Sequence, residues 1–177
     1  MTGKVVWHMT MSLDGFIADR DDGLDWAFGH SAPTAEAAEV IRTTGAFMAG
    51  GRNLDAFGDE RTKPYGGAWT GPIFVLTHRD PGTTPDPSIT LLSGDITDAV
   101  DVALKAADGK NLVVTGGSVP RQCVARGLVD EIVVHLVPVL LGDGVRFFDS
   151  PGGPPAKLEL IRSEAEQVID LRYRVVK

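Results

Sequence analysis

Residues Lys4 to Thr10 alternate in character, with Val5, Trp7 and Met9 on one face and Val6, His8 and Thr10 on the other. That two-residue period predicts a first strand. Asp14 to about Gly29 is rich in glycine and aspartate but broken by Phe16, Ile17, Leu24 and Trp26. Its composition predicts a loop, and its apolar residues predict that the loop packs against the body. The period changes from Thr34 to Thr44, where Ala37, Val40, Ile41 and Thr44 share a helical face and Gly45 ends the run. Ala46 to Ala49 reads as a short buried strand stopped by Gly50-Gly51, and Arg52 to Pro72 as a short helix followed by a surface loop. Ile73 to Thr77 and Ile89 to Leu92 are further strands, separated by a proline-rich turn from Pro81 to Pro87. Asp95 is placed to cap a helix carrying Ile96, Val100, Ala103, Leu104 and Ala107, with Lys105 in its last turn and Gly109 closing it.

Leu112 to Thr115 predicts a strand that passes through Gly116-Gly117-Ser118 into a helix over Val119 to Arg126. Glu131 to Leu141 is the longest apolar run and too rich in valine for a helix. Lys157 to Ser163 and Val168 to Val176 alternate well enough to pair antiparallel. Strands alternating with helices, followed by a strand-only end, predict one α/β domain over residues 1–177. Its sheet is mostly parallel and mixed, with antiparallel C-terminal strands and helices on both faces.

Composition narrows the chemistry. Seventeen basic against 24 acidic side chains leave a net charge of -7, which argues against a general binder of nucleic acid or anionic membrane. The single cysteine, Cys123, excludes an internal disulfide framework and lies in an apolar helical stretch, where a core role is expected. The four histidines, His8, His30, His78 and His135, have no metal-ligand spacing. The N-terminus leads into a short apolar run that Asp14 interrupts, so neither a signal sequence nor a spanning helix is expected, and the cytoplasm is the expected compartment.

Ligands of open α/β sheets bind beyond the carboxyl ends of parallel strands. Three such ends carry suitable residues: Thr115-Gly116-Gly117-Ser118-Val119, Gly50-Gly51-Arg52 and Thr77-His78-Arg79. Bare glycine backbone at a helix N-terminus admits a phosphate, and arginine offers it a planar fork of donors. Each segment read alone is equally a tight turn or a solvated surface; three in one acidic chain favour a nucleotide. Asp14, just past the first strand, either contacts a substrate or turns its own loop. Glu36 and Glu39 fall off the apolar face of their helix, so both are expected in solvent.

Three ordered motifs carry a family likeness. Ser12-Leu13-Asp14-Gly15-Phe16-Ile17-Ala18 resembles the opening motif of the riboflavin-biosynthesis reductase domain and its dihydrofolate reductase-like relatives. Gly116-Gly117-Ser118 with Gly127-Leu128-Val129-Asp130-Glu131-Ile132, and Pro138-Val139-Leu140-Leu141-Gly142-Asp143-Gly144 with Phe147-Phe148, are similar to that group's later motifs. Gly51-Arg52 also resembles the phosphate motif of dihydrofolate reductase, although Asn53-Leu54 replaces its hydroxyl residue. Thr115 stands where the riboflavin reductases usually have glutamate, and no zinc deaminase signature accompanies the domain.

The resemblance implies a dihydrofolate reductase-like fold, NADPH as cofactor and a homodimer. By motif, Gly51, Arg52, Thr77, His78 and Arg79 would hold the adenosine 2′-phosphate side. Thr115, Gly116, Gly117, Ser118 and Val119 would hold the pyrophosphate. Leu13, Phe16, Ile17 and Ala18 would cover the nicotinamide, with Asp14 facing the acceptor. The expected reaction is hydride transfer to a small heteroaromatic or carbonyl-type acceptor, of pterin or pyrimidinone kind. The alternative is a ligand-binding protein that keeps the fold without the chemistry.

Overall fold

The computed structural model describes residues 3–30, 34–53, 63–78 and 87–177. The first strand, β1 (Val5–Ser12), runs two residues past the predicted end. The following loop holds β2 (Phe16–Ala18) and a 3₁₀ turn (Asp25–Ala27), and Phe16, Ile17 and Ala18 are all buried. Helix α1 (Ala35–Thr43) is capped by Thr34, whose side chain accepts from the Ala37 amide, and it passes directly into β3 (Thr44–Gly50). A 3₁₀ turn (Gly51–Asn53) follows, and another (Pro64–Gly67) precedes β4 (Ile73–Leu76) and β5 (Ile89–Leu92). The helix expected after Arg52 and most of the Pro81 to Pro87 turn lie outside the described residues.

Asp95 caps α2 (Ile96–Ala106) by accepting from the Thr97 amide, and Gly109 turns the chain with φ 80°. β6 (Asn111–Val114) leads into α3 (Ser118–Ala125), and β7 (Glu131–Val137) is the strand that its valines favour. β8 (Val145–Arg146), too short to read from periodicity, pairs with β2 as a separate two-stranded sheet. β9 (Lys157–Ala165) and β10 (Ile169–Val176) form the expected antiparallel pair.

The main sheet has the order β5-β4-β3-β6-β1-β7-β10-β9. All pairings from β5 to β7 are parallel; β10 runs antiparallel to both β7 and β9. It is the α/β architecture expected of the dihydrofolate reductase-like group. One face packs Trp7, Met48, Leu112 and Val114 against α2 and α3, including the buried Cys123, whose thiol burial pushes up to about 12. The other packs Val6, Phe47, Val75, Val113 and Val133 with Val40 of α1.

Candidate functional site

Adjacent strands β4, β3, β6 and β1 end on one side of the sheet, and the bare-backbone positions lie among them. A Cβ at Gly50 would sit 2.8 Å from Ser118 Oγ, and one at Gly51 would sit 2.9 Å from Thr77 Oγ1. The structure therefore brings Gly51 beside Thr77 and Gly50 beside Ser118 of the next turn. Arg52 projects into solvent at 81 % exposure, with the Asp22 carboxylate 4.0 Å away. Thr77 is buried and His78 exposed. Arg79 lies outside the described residues.

Gly116 turns the chain into α3 with φ 82°. The N-terminus of α3 is uncapped by any side chain. Its free amides and the positive end of the helix dipole suit an anion. Arg121, which the sequence reading missed, folds back so that Nε donates to the Gly117 carbonyl at 2.7 Å, putting a guanidinium beside those amides. A cation in the first turn of a glycine-led helix was the available signal. Val119 is buried and can offer only backbone, whereas Ser118 is exposed. Thr115 turns inward, its hydroxyl 2.9 Å from Met9 Sδ and its amide donating to the Met48 carbonyl.

The first and last motifs meet although about 125 residues separate them. Asp14 accepts from Ser12 Oγ at 2.7 Å, from the Leu141 amide with both oxygens at 3.1 Å, and from the Gly142 amide at 2.7 Å. The Ser12 hydroxyl first, then these amides, hold its carboxyl at about 2. Both oxygens are thus engaged in fastening the loop, the second of the two roles open to this residue. The Leu13 amide donates to Val139, the Phe147 amide to Gly15, and Phe147 stacks on Trp7 with ring centroids 4.0 Å apart. Gly144, at φ 137°, lies against the Ala18 carbonyl so closely that no Cβ fits. With Phe16, Ile17 and Ala18 buried, the side chain left outside for a ligand to meet is Leu13, 60 % exposed.

One expectation is overturned. Glu36 is 1 % exposed, because α1 lies over the antiparallel end of the sheet, where Arg172 and Arg162 reach its carboxylate. Arg172 also bonds Glu131 at 2.7 Å, so the layer beneath α1 is a paired ionic network. Glu39, more exposed, shares Arg162 at 3.3 Å. His8 and His135, which carried no role in the sequence, lie buried beside this layer with Asp170. Among the described residues, two open grooves of about 520 Å³ each lie at the opposite end of the sheet, one by Lys4 and Lys177, the other by Arg42 and Lys110.

Known proteins share this fold. The profile described as the RibD C-terminal domain matches residues 3–168. A putative riboflavin biosynthesis protein from Shewanella sp. PV-4 superposes with a TM-score of 0.82 at 23% identity, covering 98% of this chain and 99% of its own. The diaminohydroxyphosphoribosylaminopyrimidine deaminase/5-amino-6-(5-phosphoribosylamino)uracil reductase of Thermotoga maritima gives 0.69 at 14% identity; 99% of this chain aligns with 57% of that longer one. Dihydrofolate reductase from Enterococcus faecalis, solved with NADP(H), gives 0.66 at 14% identity over 100% and 99% of the two chains.

Proposed function

Since the chain belongs to the RibD C-terminal domain family, whose relatives include reductases, we propose that it is an NADPH-dependent reductase acting on a small heteroaromatic or carbonyl-type compound of pyrimidinone or pterin kind. The observation that carries the reading is the uncapped N-terminus of α3, entered through Gly116-Gly117 and flanked by Arg121. That cradle fits a pyrophosphate. Gly116, Gly117, Ser118 and Arg121 would hold it, Arg52 and the Thr77-His78 turn would take the 2′-phosphate side, and Leu13 would lie over the nicotinamide. When bound, the reduced nicotinamide supplies hydride. The chain's own part is to orient the two reactants, to keep the first loop closed through Asp14, and to provide a proton.

Thermal unfolding with and without nucleotide tests the reading. NADPH at about 100 times its dissociation constant should stabilise the fold by about 2.7 kcal/mol, and Arg52→Ala should weaken NADPH about tenfold while changing NADH little. No shift with either nucleotide at saturation would remove the cofactor assignment, and equal losses for both would take Arg52 away from the 2′-phosphate. The engaged carboxylate of Asp14 favours a second reading, a nucleotide-binding protein without turnover. Bound NADPH that no pterin, pyrimidinone or quinone oxidises would support it. We further propose that the chain forms a homodimer, on account of the uncovered apolar residues of β9 and β10.

A further inference from the structure

Three neighbouring strands direct a connected row of polar side chains to the α1 side of the sheet. His8 of β1 and His135 of β7 meet Nε2 to Nε2 at 2.6 Å, with rings nearly perpendicular at 78°. His135 Nδ1 lies 2.6 Å from Asp170 of β10, and His8 Nδ1 lies 3.1 Å from the Tyr65 hydroxyl. Sheet register builds this row, since His135 is paired with Thr10 on one side and Asp170 on the other. His8 is 8 %, His135 9 % and Asp170 3 % exposed, while Tyr65 is the half-buried end. The two Nε2 atoms face each other, so they do not converge on a common cation.

Only one hydrogen fits between two imidazole nitrogens at that distance, and this leaves two arrangements. With both rings neutral, Tyr65 donates to His8 Nδ1, His8 Nε2–H donates to His135, and His135 Nδ1–H donates to Asp170. With one proton added on His135, beside the Asp170 carboxylate, His135 donates at both nitrogens. His8 must then accept at Nε2 and donate from Nδ1 to Tyr65, whose hydrogen turns away to Thr44 or to a bound acceptor. One proton thus reverses the His8–His135 and His8–Tyr65 hydrogen bonds, while His135 donates to Asp170 in both arrangements.

We propose that Asp170, His135, His8 and Tyr65 form a buried one-proton store that delivers the proton of the reduction through the Tyr65 hydroxyl. This rests on the reductase reading. In a reduction whose hydride a bound nicotinamide would supply, the nitrogen or oxygen adjoining the acceptor carbon would take the Tyr65 hydrogen. Tyr65 regains one from His8 Nδ1, and His8 Nε2 takes one from His135. The acceptor would gain the hydride that the nicotinamide gives up together with the proton from Tyr65, and the row would return to its neutral arrangement until solvent reloads it. Surrounding charge agrees. Burial first, then His135 and Arg172, disfavour charge on His8, and the Asp170 carboxylate lies 2.6 Å from His135 Nδ1. Burial raises Tyr65, keeping it an un-ionised carrier despite its contact with Thr44. Beyond Arg172, the facing charges are Glu36 from α1 and Glu131 from β7, both bonded to that arginine.

Two measurements on the full chain test this. In ¹⁵N spectra of the histidine rings from pH 5 to 9, His8 and His135 should take up one proton between them. Two independent uptakes would overturn the store. Turnover is then followed with NADPH and 5-amino-6-(5-phosphoribosylamino)uracil as the probe acceptor. The wild-type rate should fall as pH rises, because the loaded form is lost. Asp170→Asn should move that fall to lower pH, and Tyr65→Phe should cut kcat at least tenfold, abolish the solvent deuterium effect and leave NADPH binding within twofold. Unchanged kcat, pH profile and isotope effect in a folded, NADPH-binding Tyr65→Phe protein would overturn delivery through Tyr65. A wild-type protein that binds NADPH poorly would instead remove the reductase reading, and delivery with it, whatever the spectra show.

Discussion

Asp14 and His8 show how one side chain acquires its role from distant partners. Asp14 is an ordinary loop carboxylate until β8 and the turn before it bring the Leu141 and Gly142 amides to its oxygens. Gly144 is required in the same place, because a side chain there would drive into the Ala18 carbonyl and separate β2 from β8. His8 carries a consequence for acid stability. Its native imidazole is lowered from 6.5 to about 3, so between those values the unfolded chain binds the additional proton. Stability attributable to His8 is therefore present above about pH 6.5 and falls on acidification, by at most about 1.4 kcal/mol per pH unit. Urea unfolding at pH 7, 6 and 5 should show a shallower fall for His8→Gln than for wild type. Equal slopes would mean that native His8 protonates as freely as unfolded histidine.

At the scale of elements, α1 is held as much by charge as by its apolar face. Its nine residues bury only Glu36 and Val40, and Glu36 ties the helix to β10 through Arg172. Breaking a buried ion pair from one side leaves an uncompensated charge, at a cost of about 3–5 kcal/mol. Because Arg172 keeps Glu131, Glu36→Ala should fall near the lower end, about 3 kcal/mol, read as a lower urea midpoint. A loss below about 1 kcal/mol would mean that Glu131 alone satisfies the guanidinium. Helical periodicity missed Glu36 because it ranks positions by apolar neighbours, and the partner here is an arginine 136 residues away. The cap at Asp95 was legible because its acceptor lies two residues from the Thr97 amide it serves.

Across the whole molecule, the sheet divides into a parallel body covered on both faces and an antiparallel end that is bare on its outer side. Every residue of β9 is exposed, and Leu158 and Leu160 lie beside Val175 and Tyr173 in register. Such an uncovered apolar edge favours association with another chain. For the proposed homodimer, light scattering at micromolar concentration should give twice the 18.8 kDa chain mass, and Leu160→Arg should return it to one. A wild-type monomer would overturn the proposal.

The sequence by itself determined most elements, because helix and strand periods, helix caps and glycine turns are local properties read within a few residues. It also marked Gly51-Arg52 and Gly116-Gly117-Ser118 as strand ends suited to a phosphate, since bare backbone and a nearby cation are visible in a short window. Arg121 escaped because its approach to Gly117 depends on the path of α3. Tertiary structure alone decided that β10 separates β7 from β9, that Glu36 lies inside, that Asp14 fastens two loops, and that His8, His135 and Asp170 stand in a row. Each of these depends on register between strands remote in sequence, and a one-residue change of register would turn the same side chains to the opposite face.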